Sequence, residues 1–163
     1  AAMDFAVQIR GSDKTLSLKE IDDKKIIVID FWATWCTPCL SAFPHLNELV
    51  KKFDGRVEFL AVTYQQNEPK LTEILKKFPF NAPIGVDRDF KMFKAYNAWA
   101  IPQTVIIDQS RKIVASIHPN KLTDAIIQDV LDGKKLDIPK NGEHPYYEPQ
   151  GAEQYFREMD AAK

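Results

Sequence analysis

Cys36-Thr37-Pro38-Cys39 contains the only two cysteines in the chain. Two thiols at this spacing can close a small disulfide ring, reopen it, and pass two electrons to another disulfide. That exchange needs a thiolate, an accessible sulfur and a second thiol to close the ring. The residues before the pair, Ile26-Ile27-Val28-Ile29-Asp30-Phe31-Trp32, form a β-branched and aromatic run, which suits a strand buried on both faces. After it, Leu40, Phe43, Leu46, Val50 and Phe53 recur at steps of three and four, one face of a helix. A Cys-x-x-Cys between such elements reads as a redox pair.

The spacing predicts unequal roles. Cys36 falls at the mouth of the helix, where free N–H groups and the macrodipole favour an anion. That position holds its pKa below that of a free thiol. Cys39 falls inside the first turn, more buried and less ionised. Cys36 is therefore expected to attack and Cys39 to resolve. Pro38 suits the first turn, where its missing N–H costs nothing, and it stiffens the ring. Two other readings exist for the cysteines: an adventitious pair, or half of a zinc site. Structural zinc takes four Cys or His ligands, and His45, His118 and His144 are scattered without paired spacing. No metal or other cofactor is expected.

Asp30 is an acid near the middle of the apolar strand. A buried, unpaired carboxylate needs a raised pKa or a partner, and from that place it could deprotonate Cys39 during resolution. The residues alone leave an exposed strand-end acid equally open. They also leave Trp32 and Trp35 as either core or rim, and Trp35 could shape an apolar landing surface beside Cys36. Pro44 falls inside the helix and should kink it. Ile101-Pro102 precedes a strand and could be a cis peptide, with a trans turn as the default.

The rest of the chain must position these groups. Val57–Val62 and Ile84–Val86 read as strands, 68–78 and 89–96 as helices, and 104–107 with 112–117 as an antiparallel hairpin around Asp108-Gln109-Ser110-Arg111. Pro69 fits the first turn of 68–78, with Leu71, Ile74, Leu75 and Phe78 on one face. Phe90, Phe93 and Tyr96 group together in the next helix. Leu122, Ile126, Ile127, Val130 and Leu131 make a last amphipathic helix, stopped by Gly133. Thr15–Leu18 is a candidate short strand. The resulting order, β-α-β-α-β-α-β-β-α, requires crossovers and a largely parallel sheet, made mixed by the hairpin. Residues 1–132 are expected to form the domain. Residues 133–163, rich in Pro, Lys, Glu and Tyr, are expected to be an extension packed on it or trailing from it, with a short helix over 150–159.

With 163 residues the chain fits one domain. Its 22 basic and 23 acidic residues, net charge -1, argue against nucleic acid, which calls for a basic patch or stripe. No apolar run approaches the ~20 residues that span a bilayer, and Ala1-Ala2-Met3-Asp4 lacks the apolar stretch of a signal peptide. Two cysteines cannot build a disulfide framework.

The stretch Phe31-Trp32-Ala33-Thr34-Trp35-Cys36-Thr37-Pro38-Cys39 resembles the active site of the thioredoxin fold, and more closely its extracytoplasmic TlpA/ResA-like branch. Thr15-Leu16-Ser17-Leu18 resembles that branch's N-terminal hairpin before the first core strand. Pro44 matches its helix-kinking proline, Ala100-Ile101-Pro102-Gln103-Thr104 its cis-proline loop, and Asn67–Val86 its central α-β insertion. The resemblance covers residues 5–131. It implies an α/β thioredoxin fold, with a mixed central sheet and flanking helices. By resemblance Cys36 is the nucleophile, Cys39 the resolving thiol, Asp30 the buried acid and Pro102 a cis proline facing the disulfide. Trp35, Thr37, Ile101 and Trp99 would ring the disulfide and meet the substrate.

The implied activity is thiol–disulfide oxidoreduction, with Thr37-Pro38 and Ile101 resembling reducing members. The implied partners are disulfide-containing or dithiol proteins and an upstream redox partner. The implied setting is the periplasm or cell envelope, with a monomeric domain that a full-length protein can anchor to a membrane. The chain departs from the branch in two ways. Leu40-Ser41-Ala42 lacks the Glu that several members carry after the second cysteine, and Leu60-Ala61-Val62-Thr63 lacks thioredoxin's lysine near the buried acid. An oxidase or isomerase on the same fold, a partner-binding module and a copper-handling domain are the alternative functions.

Overall fold

The computed structural model describes Ala2, residues 4–138 and residues 149–161. His144 lies outside the described residues. A seven-stranded mixed sheet organises the chain, with strands β1 (Ala6–Ile9), β2 (Thr15–Ser17), β3 (Ile26–Phe31), β4 (Val57–Thr63), β5 (Ile84–Val86), β6 (Gln103–Ile107) and β7 (Ile113–Ile117). They lie in the order β2-β1-β5-β4-β3-β6-β7. The β3–β4 and β4–β5 pairs are parallel, and the others are antiparallel. Helices α1 (Thr37–Lys52), α2 (Glu68–Lys77), α3 (Lys91–Ala95), α4 (Asp124–Leu131) and α5 (Pro149–Ala161) flank it.

Strand β3 lies between β4 and β6 and is buried along its whole length. Its side chains alternate between two covered faces. Trp32, just past its end, packs edge-on against Phe43 of α1, with ring centroids 5.2 Å apart. Phe31 packs the other way, against Phe93 of α3 at 5.0 Å. The sheet is therefore sandwiched between helices, and even-numbered β3 residues face α1. Helix α4 joins the α1 side: His45 lies 2.6 Å from the Leu122 carbonyl, and Lys52 pairs with Asp124.

Several sequence expectations change. Strand β1 was not anticipated. It pairs with β2 to complete the N-terminal hairpin, and with β5 to join that hairpin to the rest of the sheet. The expected helix over 89–96 shortens to α3, because Asp89 and Phe90 both take φ of 58° and form a separate turn. Phe78, expected on the apolar face of the second helix, is 37% exposed, since α2 ends at Lys77 and Phe78, its C-cap, leaves the helical backbone conformation. Leu122 is buried but precedes α4, whose N-cap is Thr123. The 150–159 helix is present and longer, as α5.

Gly85 shows how tightly β5 is fitted. A Cβ there would stand 3.1 Å from Val7 Cγ2 and 3.3 Å from Val62 Cγ2. Gly85→Val is expected to lower stability by about 1–3 kcal/mol through overpacking. A urea midpoint equal to that of the native sequence would contradict it.

Candidate active site

Cys36 is the N-cap of α1, and its sulfur accepts a hydrogen bond from the Cys39 N–H at 3.3 Å. The two cysteines are joined as a disulfide, with Cα atoms 5.3 Å apart. Cys36 keeps 5% of its surface exposed, whereas Cys39 keeps none. Thr37 and Pro38, in the first turn, are exposed. The ring thus lies at a helix mouth, and what surface it keeps belongs to Cys36. On reduction, the same N–H and the helix dipole would favour a thiolate at Cys36. Pro44 lies inside α1 and has no N–H to offer the Leu40 carbonyl.

Asp30 is 2% exposed, so the strand-end alternative is excluded. It stands in register with Ala61 of β4 and Thr104 of β6. Its Oδ1 accepts from the Thr104 hydroxyl at 3.0 Å, and its Oδ2 is buried with no hydrogen-bond partner. Burial pushes its carboxyl up to about 8, with the Thr104 bond opposing the shift. Asp87 makes a useful contrast. Burial raises that acid too, but its oxygens accept the Met92 and Phe93 N–H groups, which oppose the rise without cancelling it. Asp87 is a structural cap, whereas Asp30 is an under-solvated acid. Asp30 shares its β3 face with Trp32, which touches Phe43, and Cys39 precedes Phe43 by one helical turn on the buried side of α1. Acid and second cysteine therefore line the same α1–sheet interface.

The remaining expected residues divide. Trp35 is half-buried and donates from Nε1 to the Tyr64 hydroxyl at 2.7 Å. Trp32 is core. The Ile101–Pro102 peptide is cis, and both residues are half-buried at the start of β6. Trp99 is a correction: only 3% of its surface is exposed. Its ring lies among Phe90, Phe93 and Phe156, because α5 covers it. A substrate meets almost none of it in this arrangement.

The zinc alternative finds other roles for two of its histidines. His45 is engaged with Leu122, and His118 Nδ1 accepts from the Asn120 N–H. Among the described residues, no three His, Cys, Asp or Glu side chains gather in a metal-holding group. No helix among them is long and apolar enough to cross a membrane.

Sequence reasoning missed Thr34, Tyr64 and Gln65. Gln65 is buried, accepting the Thr34 N–H at 2.7 Å on Oε1 and donating to Thr34 Oγ1 at 2.9 Å. It braces the loop that leads into Cys36. The available signal was a Tyr-Gln pair directly after a buried strand, too short to carry a pattern.

A model of the AhpC/TSA family matches residues 1–116. The chain belongs to that family. It is similar to a thiol-disulfide oxidoreductase ResA of Bacillus cereus, with 30% identity over 105 residues, 64% of this chain and 60% of that protein. The chain therefore spans less than two thirds of that relative's length. It also resembles the thioredoxin-like protein YneN of Bacillus subtilis, at 28% identity over 135 residues, 80% of this chain and 76% of that one. Among solved structures, the pneumococcal exposed lipoprotein thioredoxin Etrx1 of Streptococcus pneumoniae superposes with a TM-score of 0.67 and 26% identity. That match covers 80% of this chain and 99% of Etrx1. The thioredoxin-like architecture expected from the sequence is the one the chain adopts. Helices α4 and α5 lie beyond the residues the family model matches.

Proposed function

We propose that the protein is a thiol–disulfide oxidoreductase that reduces protein disulfides by dithiol exchange at Cys36 and Cys39. One observation carries this reading: a disulfide at a helix mouth, with its outer sulfur accepting a helix N–H and its inner sulfur buried. The names of the relatives support it. In the reduced protein the Cys36 thiolate attacks a substrate disulfide. One substrate thiolate leaves, and a mixed disulfide remains on Cys36. Cys39 loses its proton and attacks the Cys36 sulfur. The second substrate thiolate leaves and the Cys36–Cys39 disulfide forms. Two electrons pass to the substrate, and a partner dithiol must return the protein to its reduced form.

In this scheme Asp30 takes the Cys39 proton. Pro102, Ile101, Thr37 and Trp35 form the face that meets the substrate. Residues 1–132 constitute the catalytic domain, which works as a monomer. An extracytoplasmic setting, with the full-length protein held at the cell envelope, follows the relative described as an exposed lipoprotein.

Direction is tested by two assays run together. The dithiothreitol-charged protein is expected to accelerate insulin reduction, and the oxidised protein to reoxidise reduced ribonuclease poorly. The reverse pattern would assign an oxidase on the same fold, and inactivity in both would remove the exchange reading. Direction needs measurement because ~30 mV in potential corresponds to ~1.4 kcal/mol for this couple.

A further inference from the structure

Helix α5 lies beyond the family match, yet it reaches the residues beside Cys36. Phe156 is 1% exposed and stands edge-on to Trp35, with centroids 5.2 Å apart. Tyr155 meets the same indole at 6.1 Å. Two hydrogen-bond paths run alongside. Trp35 Nε1 donates to the Tyr64 hydroxyl, which faces Asp160 Oδ1 at 2.9 Å and the Phe156 carbonyl at 3.0 Å. Gln65 Nε2 donates to Asp160 Oδ1 at 2.7 Å and to Thr34 Oγ1. Both paths end on one carboxylate oxygen.

Proton counting makes the arrangement specific. Burial raises the Tyr64 phenol, so it keeps its single hydrogen. It accepts from Trp35 and can only donate toward α5. The Gln65 amide spends both hydrogens, on Thr34 and Asp160. Its Oε1 takes the Thr34 N–H and the Thr63 hydroxyl, the latter at 3.2 Å. Turning that amide over would set Nε2 against the Thr34 N–H and Oε1 against the Asp160 carboxylate, losing both of those bonds, whereas the Thr34 and Thr63 hydroxyls can reverse. The loop Ala33-Thr34-Trp35 has no sheet or helix ladder of its own, so beyond the turn that the Cys36 N–H closes on the Ala33 carbonyl at 3.1 Å, these side chains hold it.

We propose that α5 is a positioning element for the redox loop, with Asp160 latching Trp35 and Thr34 through Tyr64 and Gln65. Asp160 is a positioning residue, because it acts through Trp35 and touches no reacting atom. The proposal rests on the exchange activity proposed above for its kinetic consequence, though not for its structural one. A latched Trp35 presents a fixed indole edge beside the nucleophile. Released, the indole samples several orientations, and substrate docking pays the ordering cost.

The test compares Asp160→Ala with Asp160→Asn, using Glu158→Gln as the control. Glu158 is exposed and, among the described residues, accepts from Gln154 on its own helix. Asp160 is itself exposed, so the fold is expected to survive. Asp160→Ala is expected to raise KM for insulin about fivefold, the effect of one typical hydrogen bond, with kcat within about twofold. Trp35 emission, isolated as the difference from a matched Trp35→Phe variant, is expected to move to the red. The Asn side chain still accepts from both donors and is expected to recover most of both properties. An Ala variant with unchanged KM and emission overturns the latch, and so does an Asn variant as impaired as Ala. If the native sequence fails to reduce insulin, the activity reading fails, and the emission comparison still decides the latch.

Discussion

Cys39→Ser is expected to end turnover and leave the protein covalently attached to its substrate. Cys36 keeps its helix-mouth position and its exposed surface, whereas Cys39 is wholly buried. Attack therefore proceeds in the variant and resolution does not, because a serine hydroxyl cannot displace the substrate thiolate. Catalytic insulin reduction should fall to the rate of dithiothreitol alone. Disulfide-linked adducts should accumulate, and reducing agent should release them. Mass spectrometry of the released proteins would name the substrate. The substitution buries a hydroxyl at a cost of about 1–3 kcal/mol, so a thermal melt should accompany the assay. Cys36→Ser supplies the opposite arm: it should trap nothing, since the remaining thiol has no exposed surface. Adducts on Cys39 in that variant would reverse the assigned roles. Their absence from Cys39→Ser, with Cys36 still titrating with a thiol reagent, would remove the mechanism.

The centre of this site was legible because two independent patterns meet there. An apolar run covered on both faces has no polar alternation, and the following apolar positions change period at the cysteines. That change marks the strand-to-helix junction at which Cys36 caps α1. Asp30 was only half legible. A single acid in an apolar run fixes neither its partner nor its face. Its burial came from the pairing of β3 between β4 and β6, a long-range fact. Strand β1 escaped because Ala6-Val7-Gln8-Ile9 is too short to carry a period, and it is held by pairing with β2 and β5.

The α3 region misled for a local reason. Asp89 and Phe90 interrupt a helical pattern with two left-handed residues, and apolar spacing does not encode φ. Trp99 misled for a distant one. Its motif position suited the rim of the disulfide, but Phe156 closes over it from a helix more than fifty residues later in the chain. A short helix over 150–159 is expected from the sequence, while the docking of α5 against Trp35 depends on Tyr64 and Gln65. No spacing rule links those residues to Asp160.

Asp30→Asn is expected to separate stability from catalysis, with opposite signs. Burial raises the Asp30 carboxyl from 3.8 to about 8 in the folded protein, so the folded state holds this proton more tightly than the unfolded chain. The stability this contributes is full below about pH 4 and is lost as pH rises through about 8. Between those limits the native sequence should lose up to roughly 1.4 kcal/mol per pH unit relative to the variant. Urea unfolding of the oxidised forms should give similar midpoints near pH 4. Above pH 8 the variant should be more stable, because a neutral amide replaces a buried charge and its oxygen can still accept from Thr104. The kinetic effect runs the other way. Cys39 is fully buried, so its thiol ionises with difficulty and needs a nearby proton acceptor. A carboxylate with a pKa of about 8 is well matched to a thiol, whereas an amide cannot accept the proton. Release of the mixed disulfide should slow by about 10²–10⁴-fold, the usual contribution of a general base. Its formation by Cys36 should change little. Stopped-flow measurements with a fluorescent disulfide substrate separate the two steps. The native resolution rate should climb with pH and level off near 8, and the variant should lack that inflection. Equal slowing of both steps would make Asp30 a structural acid whose burial disturbs the whole ring, and the proton would then leave Cys39 by another route.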